Sequence, residues 1–285
     1  MHVRNIHHVG IVVRDMDQAY RLWRDTIGLP VVKEGEERGL KLSLLRIGNS
    51  FIELLQPLTT DSDTAAFLER TGGGMDHLCL ETTDVHADHA TALERGLDVL
   101  WGGIDTVFTG DAFFLNRSNT QGILVELLQP ELPTAIGTRE DALFTEVTMI
   151  NTHTADLLTA ARQWEQNFDL QVESYLVAPE ADNRHFMIPT GERGAAYIEV
   201  LTPLTPTGKN ADYVRKVGDG LFQIDVRADD PDEAVRRLNA AGYRAMQTDG
   251  MDHGRTATFV HPKSAGGVFI AIFPPGPVPS GPLPW

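Results

Sequence analysis

The segment "IELLQPL" at 52–58 returns as "LVELLQP" at 124–130 and as "YIEVLTPL" at 197–204, with Glu53, Glu126 and Glu199 spaced 73 residues apart. A fourth copy, "FIAIFPP" at 269–275, carries Ala271 at the same place. Each copy closes a unit that opens with a β-like run, passes into a helix starting at Asp or Asp-Pro, and ends in short strands. The first unit reads "IHHVGIVV", "DMDQAYRLWRDTIG", then "VVKE", "LKLSLLRI" and "SFIELLQ". Ala19, Leu22, Trp23 and Ile27 fall at helical spacing on one face, and Gly28 stands where a left-handed cap is wanted. Four βαβββ modules therefore account for residues 5 to about 275. Strands dominate and helices are short, so the fold class is α+β. Modules one and two are expected to form a domain over 1–132 and modules three and four a second over 143–275. The segment joining them is rich in proline, glycine and charge, and a proline-rich, extended tail follows at 276–285.

If paired modules are pseudo-symmetric, their first and last strands present equivalent positions to one concave sheet. In the first pair these are His8 and His77 on the first strands and Glu53 and Glu126 on the last. Two imidazoles and two carboxylates suit a divalent transition metal with room for two further ligands. Packing alone gives no reason for a carboxylate inside "FIELL" or "LVELL", because a buried unpaired charge is costly and a cation removes that cost. Each residue alone reads as an ordinary surface or core side chain; the symmetric placement of all four favours a metal site.

Bulk properties exclude other classes. A formal charge of −16 over 285 residues opposes nucleic-acid binding, which needs a positive surface. The single cysteine, Cys79, rules out an internal disulfide framework and reads as a packed core thiol. "MHVRNIHHVG" has no apolar signal region and no apolar run of about 18 residues occurs, so a cytoplasmic protein without membrane partners is expected. "TGGGMD" at 71–76 reads as a linker, since no helix opens after it to cradle a phosphate. His7, by strand alternation, points away from His8. His86 and His89 suit a solvated helix face, while His153, His185, His253 and His261 have no partners at telling distances.

The stretches "HHVGIVVRDMDQAYRLWRDTIGLPVV", "SFIELLQPL", "GGGMDHLCLET" and "GILVELLQP" resemble the vicinal oxygen chelate superfamily, especially its methylmalonyl-CoA epimerase and glyoxalase I branch. The likeness is strong over 5–130 and weaker over 143–275. It implies cupped mixed sheets and one divalent ion (Zn, Ni, Co, Mn or Fe) on His8, Glu53, His77 and Glu126. In the second half the same alignment sets Glu146 for His8, Glu199 for Glu53, Gln223 for His77 and Ala271 for Glu126, a degenerate domain that has lost the metal. The loop "HPKSAGG" at 261–267 matches the epimerase pattern but lies in that half. The first half has "NRSNTQG" at 116–122, where Arg117 is the candidate substrate-binding residue in place of lysine, and near Leu42 a position where some epimerases offer a carboxylate is apolar.

The resemblance implies an epimerase or isomerase that removes a proton beside a carbonyl, with Glu126 as ligand and general base, Glu53 as ligand and second acid/base, and the histidines as anchors. The expected partner is a small carbonyl or hydroxy-carbonyl substrate, with a homodimer allowed. Three alternatives stay open: a glyoxalase-type lyase, an Fe(II) extradiol-type dioxygenase using His8, His77 and Glu126, and a non-catalytic binding or resistance protein.

Overall fold

The computed structural model describes residues 1–252, 255–278 and 280–283. Its first sheet is built from β1 (Val3–Val12), β2 (Val31–Glu37), β3 (Leu40–Ile47), β4 (Ser50–Pro57), β5 (Gly74–Thr82), β6 (Asp105–Val107), β7 (Gly110–Leu115) and β8 (Leu124–Pro130). The second comprises β9 (Glu146–His153), β10 (Ser174–Ala178), β11 (Asn183–Pro189), β12 (Tyr197–Pro203), β13 (Gly220–Arg227), β14 (Ala245–Asp252), β15 (Arg255–Val260) and β16 (Phe269–Phe273). The spatial orders are β2-β3-β4-β1-β5-β8-β7-β6 and β10-β11-β12-β9-β13-β16-β15-β14, the same arrangement twice. In each sheet the first strands of two modules pair antiparallel at the centre, and each is flanked in parallel by its own module's last strand. Both sheets are mixed and cupped, as the α+β reading of paired modules requires.

The helices are α1 (Met16–Tyr20), α2 (Asp63–Thr71), α3 (Val85–Glu94), α4 (Leu157–Phe168), α5 (Lys209–Val217) and α6 (Pro231–Ala240). Four of them start alike: Asp15, Asp84, Asp156 and Asp230 accept from the backbone N–H groups of Gln18, Ala87, Thr159 and Glu233. Such caps contribute about 1 kcal/mol each and fix where the chain turns from strand to helix. The α1 helix continues as a π-helical stretch, Arg21–Thr26, which buries Leu22 and Trp23 before Gly28 turns the chain at φ +93°. The repeat does not announce α2 and α5, which join module to module. The local signals for α2 are Ser62, which accepts from Ala65 N–H, and Gly72 in the left-handed conformation at its end.

Strand alternation sorts side chains between two faces. Ile52, Leu54, Leu78, Leu80, Val125 and Leu127 enter the main core under the helices. The residues between them face the cup, where Phe51, Leu55, Leu42 and Leu44 form a separate apolar cluster. The halves are tied through Asn5, fully buried, whose side-chain oxygen accepts from Ala196 N–H (3.0 Å), and through Asn49, which accepts from Val147 N–H (3.2 Å). The described part of the proline-rich tail lies along the second sheet: Arg227 donates to the carbonyls of Pro274 (2.7 Å) and Gly276 (2.6 Å). Tyr175 N–H donates to Gly281 O (3.4 Å). His253 and Trp285 lie outside the described residues.

Candidate metal centre

The strand order β4-β1-β5-β8 sets Glu53, His8, His77 and Glu126 side by side across the cup. His8 Nε2 lies 3.0 Å from His77 Nε2. It is 3.4 Å from Glu53 Oε2 and 3.2 Å from Glu126 Oε2. His77 Nε2 is 3.6 Å from Glu53 Oε2 and 3.5 Å from Glu126 Oε2. Neighbouring ligands on one ion, at bonds of about 2.1 Å, stand roughly 3.0 Å apart in an octahedron and 3.4 Å in a tetrahedron, so these edges fit a single cation. The ligand atoms of His8, Glu53 and His77 all fall within 4.8 Å of one another. Glu126 stands outside that group of three but approaches both imidazoles from the β8 side, and is the fourth candidate ligand.

All four groups are buried. Burial opposes charge on His77, but Asp76, Glu126 and Glu53 outweigh it and hold the imidazolium up to about 10. His8 is raised in the same way, with Glu53 and Glu126 overcoming burial. Glu126 moves in reverse: burial would raise it, and the two imidazoles pull it well below the usual carboxylate range. Protons here stand in for a cation, and binding one displaces them.

Both imidazoles are oriented from behind. His7 Nε2 is 2.9 Å from Leu132 O, and a carbonyl only accepts, so this nitrogen carries the hydrogen. Burial holds His7 down to about 3, so the ring is neutral and its Nδ1 is an acceptor. That Nδ1 is 2.8 Å from His8 Nδ1, which must therefore donate and leave His8 Nε2 facing the cluster, free to take a metal. His77 Nδ1 faces Asp76 Oδ2 at 3.6 Å, and Asp76 accepts from Arg117 Nη2 at 2.8 Å.

The alternation reading of His7 is thus corrected. A β-bulge lies between the pairs Ile6–Leu80 and His8–Cys79, and the extra residue turns His7 toward its neighbour. Gly10 is a second residue the sequence reading missed. A Cβ there would meet the His77 ring at 2.0–2.6 Å, so only glycine lets the ring lie over β1. Arg117 supports Asp76 and does not line the cavity beside the metal residues. Cys79 is a buried core thiol, as expected. It also groups with His7 and His8, but burial and Glu126 push it well above 9, and the neutral thiol is a poor ligand.

A cavity of about 340 Å³ opens from Glu53, His77 and Glu126 past Leu42, Phe108 and Phe114. Leu42 is apolar lining, as the sequence indicates. Arg38 and Trp101, at the mouth, carried no sequence signal. Trp101 stacks edge-on against Phe114, and Arg38 donates to Asp105 (2.6 Å).

The second sheet shows what happened to the equivalent positions. Gly10 pairs with Glu53 and His77, and Asn151 pairs with Glu199 and Gln223, so Asn151 stands for Gly10 and Gln223 for His77. His8 then corresponds to Met149, two residues earlier, and not to Glu146, which sits at the far end of β9 opposite Arg227. Aligning on a carboxylate shifted the register by three. Ala271 faces Asp225 as Glu126 faces Cys79. With Met149, Glu199, Gln223 and Ala271, this cup lacks the ligand set of the first. The remaining histidines differ from the sequence reading in part: His185 is ion-paired with Glu199, and His153 stacks on Phe222 at 3.8 Å. His89 packs against Phe113, His86 is exposed, and His261 Nδ1 accepts from Lys263 N–H within its own turn.

This chain is similar to known proteins. The family model described as Glyoxalase/Bleomycin resistance protein/Dioxygenase superfamily matches residues 7–115 and again 150–259. Ethylmalonyl-CoA/methylmalonyl-CoA epimerase of Cereibacter sphaeroides is 33% identical over 132 residues, 45% of this chain and 98% of that protein. Human mitochondrial methylmalonyl-CoA epimerase is 30% identical over 128 residues, 44% of this chain and 73% of its own length. A triple-substituted 4-hydroxymandelate synthase from Streptomyces coelicolor superposes with a TM-score of 0.74 at 17% identity, covering 95% of this chain and 92% of that one, a likeness of fold.

Proposed function

Because the chain belongs to the glyoxalase/bleomycin resistance protein/dioxygenase superfamily, which is also called the vicinal oxygen chelate superfamily, we propose that it is a divalent-metal-dependent epimerase or isomerase. Its substrate is a small carbonyl or hydroxy-carbonyl compound, and the step is removal and return of the proton beside the carbonyl. The observation that carries this reading is the convergence of Glu53 and Glu126 on the His8–His77 pair, each within 3.2–3.6 Å of both imidazole Nε2 atoms, distances that suit one cation. A divalent ion held there would polarise the substrate carbonyl and spread the negative charge left by the departing proton. His8 and His77 anchor it through Nε2.

Epimerisation needs proton-handling groups on two sides of the reacting carbon. Glu53 and Glu126 come from the strands flanking the histidine pair, and both line the cavity. Glu126 takes the proton and Glu53 returns one from the other side. Leu42, Phe108 and Phe114 keep water from the reacting carbon. The cavity favours a compact reacting portion, so any coenzyme A handle would lie outside it.

The reading is tested by metal analysis of the protein and of Glu126→Gln, then incubation with candidate hydroxy-carbonyl compounds in deuterated water. Deuterium appearing at the adjacent carbon with the native protein and not the variant, without oxygen uptake, supports it. Oxygen consumption would replace it with dioxygenase chemistry, and lyase products with glyoxalase chemistry.

A further inference from the structure

The second cup is not a collapsed remnant. It encloses about 850 Å³, larger than the cavity beside the metal residues. Its floor is set with buried polar side chains: Asn151, His185, Glu199, Asp225 and Arg227, with Gln223 half-buried beside them. A cup that had only lost its ligands would be expected to fill with apolar side chains, since burying such groups costs free energy without a partner. Asn151 makes the point most directly. It is 1% exposed, it occupies the centre of the floor where the first sheet has Gly10, and its Nδ2 has no hydrogen-bond partner among the described residues.

We propose that the second cup binds an uncharged, hydroxylated ring compound bearing a carbonyl, at a site separate from the metal centre. Asn151 Nδ2 is a donor placed to meet the carbonyl, and the carboxylates of Glu199 and Asp225 are acceptors for ring hydroxyls. The floor carries two groups of each sign: Glu199 is paired with His185, whose imidazolium it favours against burial, Asp225 accepts from Gln223 Nε2 at 2.5 Å, and Arg227 lies two residues further along the same strand. Those four charges sum to zero, which favours an uncharged ligand over an ionic one. Phe222, Phe259 and Phe269 supply flat apolar walls, and Phe222 is backed by the stacked ring of His153. The docked tail forms one side, with Arg227 gripping the carbonyls of Pro274 and Gly276 where the chain passes the cavity.

The test is calorimetric titration of the full chain with three uncharged probes, 4-hydroxyacetophenone, 2,4-dihydroxyacetophenone and naringenin, beside the anion 4-hydroxybenzoate. At least one uncharged probe should bind with 1:1 stoichiometry and more tightly than the anion. Asn151→Leu should weaken it about tenfold, the loss expected for one hydrogen bond from a desolvated donor. Leu176→Trp, which narrows the cavity from its half-buried wall, should weaken it as well, and Glu126→Gln should leave it unchanged. Asn151→Leu should unfold no earlier than the parent, because it removes an unpaired buried donor. A purely structural asparagine would destabilise on replacement and leave affinity untouched. No binding of any uncharged probe, tighter binding of the anion, unaltered affinity in both second-cup variants, or loss of binding in Glu126→Gln would each overturn the proposal.

Discussion

Replacing His7 by leucine tests how the metal-binding nitrogen of His8 is selected. His7 donates to Leu132 O at 2.9 Å and accepts from His8 Nδ1 at 2.8 Å, so it fixes the tautomer that leaves His8 Nε2 free. In the leucine variant, free His8 can carry its hydrogen on Nε2, turned toward Glu53 and Glu126. A cation then forces the hydrogen back to Nδ1, which is fully buried and has lost its acceptor. An unmet buried N–H costs about 1–3 kcal/mol, which corresponds to roughly 10–100-fold in affinity, the range typical for partners standing behind metal-bound histidines. Competition of Zn²⁺ or Co²⁺ between the protein and a chromophoric chelator reads this directly. His7→Gln, whose amide can both donate and accept, should recover most of the loss. If His7→Leu stays folded and binds the metal within about threefold of the parent, the tautomer argument fails.

Three other outcomes are expected. Gly10→Ala drives a methyl into the His77 ring, so metal content should fall with a loss of about 1–3 kcal/mol of stability by denaturant titration. On the acid side, neutral His7 is held down to about 3 against an ordinary 6.5, so the unfolded chain binds the extra proton first. Metal-free protein should lose up to about 1.4 kcal/mol per pH unit between those values, and His7→Phe should flatten that limb of the denaturation midpoint against pH. On the alkaline side, the stabilisation from His77 is full below 6.5 and is lost as pH rises through about 10; saturating Zn²⁺ should abolish that dependence and release roughly one to two protons per ion at neutral pH, measured in weakly buffered solution.

Periodicity carried much of this into the sequence. A ladder of glutamates 73 residues apart marks the last strand of the first three modules, and an aspartate cap marks the helix of all four, because both are repeated local chemistry. What periodicity could not carry is where alternation breaks. The bulge at His7 reverses which way that ring faces, and no period-2 pattern announces it. Gly10 carries no periodic signal, and its need for glycine shows only once the His77 ring lies over it. Equating Glu146 with His8 followed the carboxylate rather than the register, which the pairing of Asn151 with Glu199 and Gln223 fixes three residues on. The His185–Glu199 pair joins strands whose side chains meet only after the sheet forms.

The central claim is one ion per chain, held by two imidazole nitrogens and carboxylate oxygens of the first sheet. X-ray absorption at the metal edge of the Zn- or Co-loaded protein measures this most directly, alongside the metal-to-chain ratio. The account predicts a ratio of one, nitrogen and oxygen neighbours at about 2.0–2.1 Å with outer-shell scattering from two imidazoles, and its loss in a His8→Ala, His77→Ala double variant. A spectrum of oxygen neighbours alone, a sulfur neighbour, or metal retained unchanged by the double variant would contradict it.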